Sequence, residues 1–153
     1  MKYRSTIFFI LIFLVIFIIS RCAPQPCSQV TDAMIKASFY KTGSDSIRTA
    51  DSVTIYAIGD DTNKVYDKAT SLSTISIPLD SGTDSCSYFF KFNLLADTVT
   101  FYYTNYPTLI SKECGYTYYH SLDSIKHKKT VLDYIIVNRK ITTVNGENIR
   151  IFY

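Results

Sequence analysis

Tryptophan is absent from the 153 residues, and glycine (five), proline (four) and histidine (two) are scarce. So few glycines leave no Gly-rich loop to cradle a phosphate, and the chain carries no Walker sequence, no nucleophile elbow and no paired-carboxylate motif. These absences lean away from nucleotide-dependent and hydrolytic catalysis. Two histidines alone fall short of the three or four ligands that a zinc site needs. A sustained 3.6-residue apolar period is also missing, with at most one helical turn in "TDAMIKASF".

Charge is missing from Ser5 to Ser20, and the stretch Ile7 to Ile19 is apolar throughout, behind the basic start Met1-Lys2-Tyr3-Arg4. A basic opening and a short apolar run form a signal-peptide profile. A spanning helix wants about 20 apolar residues, and this run meets Arg21 first, so an uncleaved anchor is the weaker reading. "IIS" before Cys22 fits a bacterial lipobox, although Arg21 stands where a small residue is usual. Cys22 is therefore the expected lipid-bearing first residue, the alternative being an ordinary thiol or disulfide partner. The expected organisation is a lipoprotein signal peptide over 1–21, a flexible tether over 22–30 and an all-β domain over 31–153.

The net charge of +3 comes from 16 basic and 13 acidic residues, but Lys2, Arg4 and Arg21 all lie in the leader. From Cys22 onward the chain holds 13 of each sign and is formally neutral, so no nucleic-acid partner is expected. With Cys22 acylated, Cys27, Cys86 and Cys114 allow one disulfide, which export permits. Cys27 with Cys114 is the expected pair, Cys86 remaining open.

What the chain has in quantity is tyrosine, 13 in all and only Tyr3 in the leader. With Thr and Ser, it favours strands. From Met34 on, short alternating runs are separated by polar turns. "MIKASFY" sets Ile35, Ala37 and Phe39 against Lys36 and Ser38; "SVTIYAIG" sets Val53, Ile55 and Ala57 against Thr54 and Tyr56. "KVYD" is short enough to pair nearby. "STISIPLD" alternates about Ile75, Ile77 and Leu79, and Pro78, lacking an N–H, places it at an edge or ends it. "CSYFFKFNL" and "DTVTFYYTNY", separated by Leu95 and Ala96, suggest a hairpin. Further strands fall in "SKECGYTYYHSL" and "TVLDYIIVN". "ITTV" and "ENIRIFY" flank Asn145-Gly146, a type I′ turn signal. Eight or nine strands with regular turns predict a single antiparallel β-sandwich, with a partly closed β-barrel as the alternative.

Four groups invite a chemical reading. His120 and His127 are the candidate bases, Cys114–His120 a conceivable nucleophile–base couple, but "ECG" before a strand reads better as a disulfide corner. Asp60, Asp61 and Asn63 in "GDDTNK" offer oxygen ligands without EF-hand spacing, as an ordinary turn would. "IKHKK", 125–129, suits a solvated loop or anionic head groups. Tyr102, Tyr106, Tyr116 and Tyr119 are the candidate binding surface, for a glycan or an envelope protein, with alternation exposing only about half of such a row. No catalytic residue, metal or cofactor is expected.

Cys22 and Cys27 after the leader, "ISIPLD" at 75–80, "SKECG" at 111–115 and the terminal "IRIFY" together resemble a family of small Bacteroidota-type lipoproteins of unknown function. The resemblance implies a lipid-anchored protein of the bacterial cell envelope, at the outer membrane, and brings no catalytic or binding residue with it. The expectation is a structural or binding module rather than an enzyme, with an envelope hydrolase using His120 or His127 as the rival.

Overall fold

The protein is described by a computed structural model for Tyr3, residues 34–140, Thr142 and residues 146–153. The leader apart from Tyr3, the tether, Cys22 and Cys27 lie outside the described residues, as does most of "ITTV". Among the described residues no helix is long and apolar enough to cross a membrane.

Nine strands follow in order: β1 Ile35–Tyr40, β2 Val53–Ala57, β3 Lys64–Ala69, β4 Thr74–Ile77, β5 Ser85–Phe92, β6 Leu95–Ser111, β7 Gly115–His127, β8 Tyr134–Val137 and β9 Ile149–Phe152. They form a four-stranded sheet, β4-β1-β9-β8, and a five-stranded sheet, β3-β2-β5-β6-β7. The architecture is the expected all-β sandwich, not closed into a barrel. Alternation explains why: Ile35, Phe39, Ile75, Ile77, Ile149 and Ile151 of one sheet and Val53, Ile55, Phe90, Val99, Phe101 and Leu122 of the other share one buried core. Apolar burial of this kind is the main favourable contribution to folding.

The expectation of a purely antiparallel sandwich needs one correction. β1 and β9 pair in parallel, Ala37 opposite Ile149 and Tyr40 opposite Phe152, while every other named pairing is antiparallel. Asn145, the first residue of the Asn145-Gly146 turn, lies outside the described residues; β9 carries β1 on one side and β8 on the other. Thr142 lies beside β7, donating its N–H to the His120 carbonyl while Leu122 N–H donates to Lys140 O.

Pro78 does mark an edge: β4 ends at Ile77 and borders the four-stranded sheet. The β5–β6 hairpin forms two residues earlier than read. Phe92 pairs with Leu95, leaving Asn93-Leu94 as the turn, with Asn93 at φ +52, a left-handed conformation that asparagine tolerates. β6 also runs five residues past Tyr106, through Pro107 to Ser111. Its last partner on β5 is Ser85, opposite Tyr102. Beyond that point β6 pairs with β7 alone, and residues 103–111 and 115–122 form a two-stranded ribbon about 30 Å long at ~3.3 Å per residue. Pro107 has no N–H to contribute, and it sits where one side of β6 has no strand to receive it.

Candidate functional site

Where the ribbon leaves the sandwich, a polar cluster gathers on its inner face. Tyr88 Oη donates to Pro78 O at 2.6 Å and Tyr103 Oη to Asp80 O at 2.9 Å, pinning the loop between β4 and β5. Asn105 Nδ2 donates to Ser81 O and Thr83 O of the same loop. Its Oδ1 is thus the acceptor toward His120 Nδ1, 2.5 Å away, which makes the imidazole a donor at Nδ1. His120 is buried, packed edge-on against Tyr103 with ring centroids 5.3 Å apart. Beside it opens a cleft of ≈ 330 Å³ lined by Met34, Pro78, Leu79, Ser81, Thr117, Tyr118 and His120.

The electrostatics of this cluster favour its neutral forms. Burial lowers the His120 pKa, disfavouring the imidazolium. Burial likewise pushes the Cys86 thiol up to about 11, despite an opposing bond with Tyr103, and the Tyr103 phenol up to about 12. At neutral pH the thiol is protonated and a poor nucleophile. Tyr103 holds the loop between β4 and β5, His120 is bonded to Asn105 of β6, and at neutral pH the Cys86 thiol and the Tyr103 phenol keep their protons.

The candidate histidines and cysteines do not meet. Cys114 lies in the turn at the ribbon tip, six residues and about 20 Å along β7 from His120. His127 ends β7, seven residues from His120, with Nδ1 against the Lys128 carbonyl. Cys86 is a free thiol and Cys114 is not. Asp60 spends its oxygens inside its own turn, accepting from Thr62 and Asn63, whose side-chain bonds lower its pKa. Among the described residues no group of three or more metal-ligating side chains is present. The reading of "IKHKK" as a loop needs correction, because Ile125, Lys126 and His127 belong to β7 and only Lys128 and Lys129 follow it.

The tyrosines are divided by register. Tyr106 stands opposite Tyr119 and Tyr102 opposite Ser124, all on the outer face of the five-stranded sheet. Tyr116, opposite Leu109, lies on the inner face with the Pro107–Tyr118 pair. Tyr106 and Tyr119 contact edge-to-face at 6.2 Å, and Lys126 Nζ rests 5.1 Å from the Tyr102 ring centre. The same outer face continues to Tyr56 and Phe89, rings 5.0 Å apart, beside a hollow of ≈ 610 Å³. Between them lie hydroxyl-bearing residues: Ser85, Ser87, Thr98, Thr100, Thr104, Ser121 and Ser124. Tyr56 was legible as outward from alternation alone; its union with Phe89 and Tyr102 depends on the strand order.

Asp97 carries no sequence signal and proves to be a structural key. Its buried carboxylate accepts backbone N–H groups from Thr130, Val131 and Leu132, 2.7–3.1 Å away. Burial opposes its ionisation, but those bonds outweigh burial and hold the pKa below the ordinary aspartate value. One side chain thereby fixes the crossing from β7 in one sheet to β8 in the other.

A family of unknown function, DUF6452, matches residues 52–153, which span β2 to β9. No curated protein and no solved structure matches the chain.

Proposed function

The chain belongs to DUF6452, a family of unknown function, and from its own surface we propose that it is a non-catalytic binding module of the cell envelope, held at the membrane by an acylated Cys22. The observation that carries the reading is the open outer face of the five-stranded sheet. There, half-buried tyrosines alternate with rows of Ser and Thr hydroxyls from the Tyr56–Phe89 hollow to the Tyr106–Tyr119 pair. Aromatic rings give an apolar contact for sugar faces, and hydroxyls exchange hydrogen bonds with sugar hydroxyls, while Asp61, Lys64, Asp67, Lys68 and Lys91 line the hollow and Lys126 stands over Tyr102. An envelope glycan is the ligand this chemistry fits. The protonated Cys86 thiol, a poor nucleophile, favours binding over a hydrolase built on it. The tether belongs to the same proposal, with Cys27 bonded to Cys114 and the leader removed at Cys22.

Two experiments test it. Intact-mass and N-terminal peptide analysis of protein made in a lipoprotein-processing host should show a chain that begins at acylated Cys22; an unmodified Cys22 would remove the tether. A glycan array should give a signal that Tyr102→Ala and Tyr106→Ala each reduce about 10-fold, on the scale of ~1–3 kcal/mol for a buried aromatic contact. A silent array would overturn the glycan reading and leave a protein partner for this face.

A further inference from the structure

The inner face of the ribbon ends in an apolar patch that the sandwich does not cover. Leu109 pairs directly with Tyr116, and Pro107 with Tyr118; Leu109, Tyr116 and Tyr118 are 54%, 72% and 46% exposed. The uncovered stretch, residues 107–111 beside 115–118, is about 16 Å long, and two strands spaced ~4.8 Å apart give it a face of about 150 Å², far below the ~800 Å² per partner of a standard protein complex. A second copy or a folded partner would gain too little from it. A lipid interface has no such size requirement, and its chemistry suits these residues: tyrosine keeps its phenol among head groups and its ring below them, and leucine enters the acyl boundary.

Position points the same way, on the tether of the proposed function. With Cys27 bonded to Cys114, the ribbon tip lies five residues from Cys22, at most about 18 Å of extended chain. Leu94, 93% exposed in the turn that precedes β6, lies at the opposite end of that strand, some 15 residues and about 50 Å from Leu109. We propose that the ribbon tip rests on the bilayer interface through Leu109, Tyr116 and Tyr118. The acyl chains hold the protein at the surface, and the tip, kept at high effective concentration there, sets its orientation, so that the sandwich stands off the membrane with its glycan-facing sheet free.

Because the chain has no tryptophan, a single introduced indole reports depth. Leu109→Trp, Tyr116→Trp and Leu94→Trp variants of the full mature protein are reconstituted in phosphatidylethanolamine–phosphatidylglycerol vesicles with and without brominated acyl chains. The expected result is a blue-shifted emission and several-fold deeper bromine quenching at 109 and 116 than at 94, with equal melting temperatures. Quenching at 109 and 116 no deeper than at 94 overturns the proposal. If mass analysis finds no acyl chain, the tether reading fails separately. Cys22 is then coupled to a maleimide lipid in a Cys86→Ser background, and the same comparison decides the ribbon contact.

Discussion

The two halves of β6 have the same residue types and opposite environments. Residues 99–102 lie between β5 and β7, and Val99 and Phe101 are fully buried; residues 103–111 have β7 as their one strand partner, and Leu109 faces solvent. An aromatic or aliphatic side chain is thus a core element in one half and a surface element in the other. Burial follows from the partner across the sandwich, and residues past Tyr103 progressively lose one. In the ribbon, Leu109, Tyr116 and Tyr118 are left exposed to solvent.

The comparison can be broken or sharpened by experiment. The largest effect is expected from removing residues 34–40, which takes Ile35, Ala37 and Phe39 out of the core and strips β9 of a partner. Cooperative unfolding by circular dichroism should vanish, although the family match starts only at residue 52. Next, Phe101→Ala should cost about 3–5 kcal/mol in denaturant unfolding, as large-to-small core changes do.

Asp97→Asn should cost about 1.5–3 kcal/mol, because three backbone donors lose a charged acceptor. The wild-type carboxyl has a folded pKa below its unfolded one, so its contribution is complete above the unfolded value of ~3.9 and is lost as pH falls through the depressed folded value. The variant's stability should be flatter across that acid window. For His120 the folded pKa is also depressed, but here the unfolded chain takes up the proton first. Stability should therefore decline as pH drops below ~6.5 toward the folded value, and His120→Gln should reduce that slope in thermal melts. The smallest effect belongs to the ribbon: Leu109→Ala should change stability by no more than about 0.5 kcal/mol in the same denaturant assay. A core-sized loss at Leu109 would show that the ribbon is part of the folded body.

Alternation was a good guide where one face of a strand meets the core. Ile35, Ala37 and Phe39, Val53 and Ile55, and Ile75 and Ile77 point inward as their pattern indicated, and Pro78 marked its edge because a missing N–H is a local property. The edges of β9 were not legible in this way, because β1, distant in sequence, occupies one of them and β8 the other.

The tyrosine surface was half legible. Period-2 alternation separates Tyr102 from Tyr103, but whether Tyr116 joins Tyr119 or opposes it follows from the same rule only once the strand is known to continue unbroken through both. Asp97 was out of reach, since a lone aspartate in a strand looks like any solvated one until the 130–132 amides arrive over it.

By itself the sequence determined the strands, their inward faces and the β-sandwich class, because side-chain periodicity is written locally along the chain. Only the tertiary structure decided the parallel closure of β1 on β9, the lock between Asp97 and residues 130–132, and the extension of β6 and β7 beyond their sheet. Each of these depends on which distant segments compete for the same backbone edge or buried donor, and that competition is settled only when the whole chain packs.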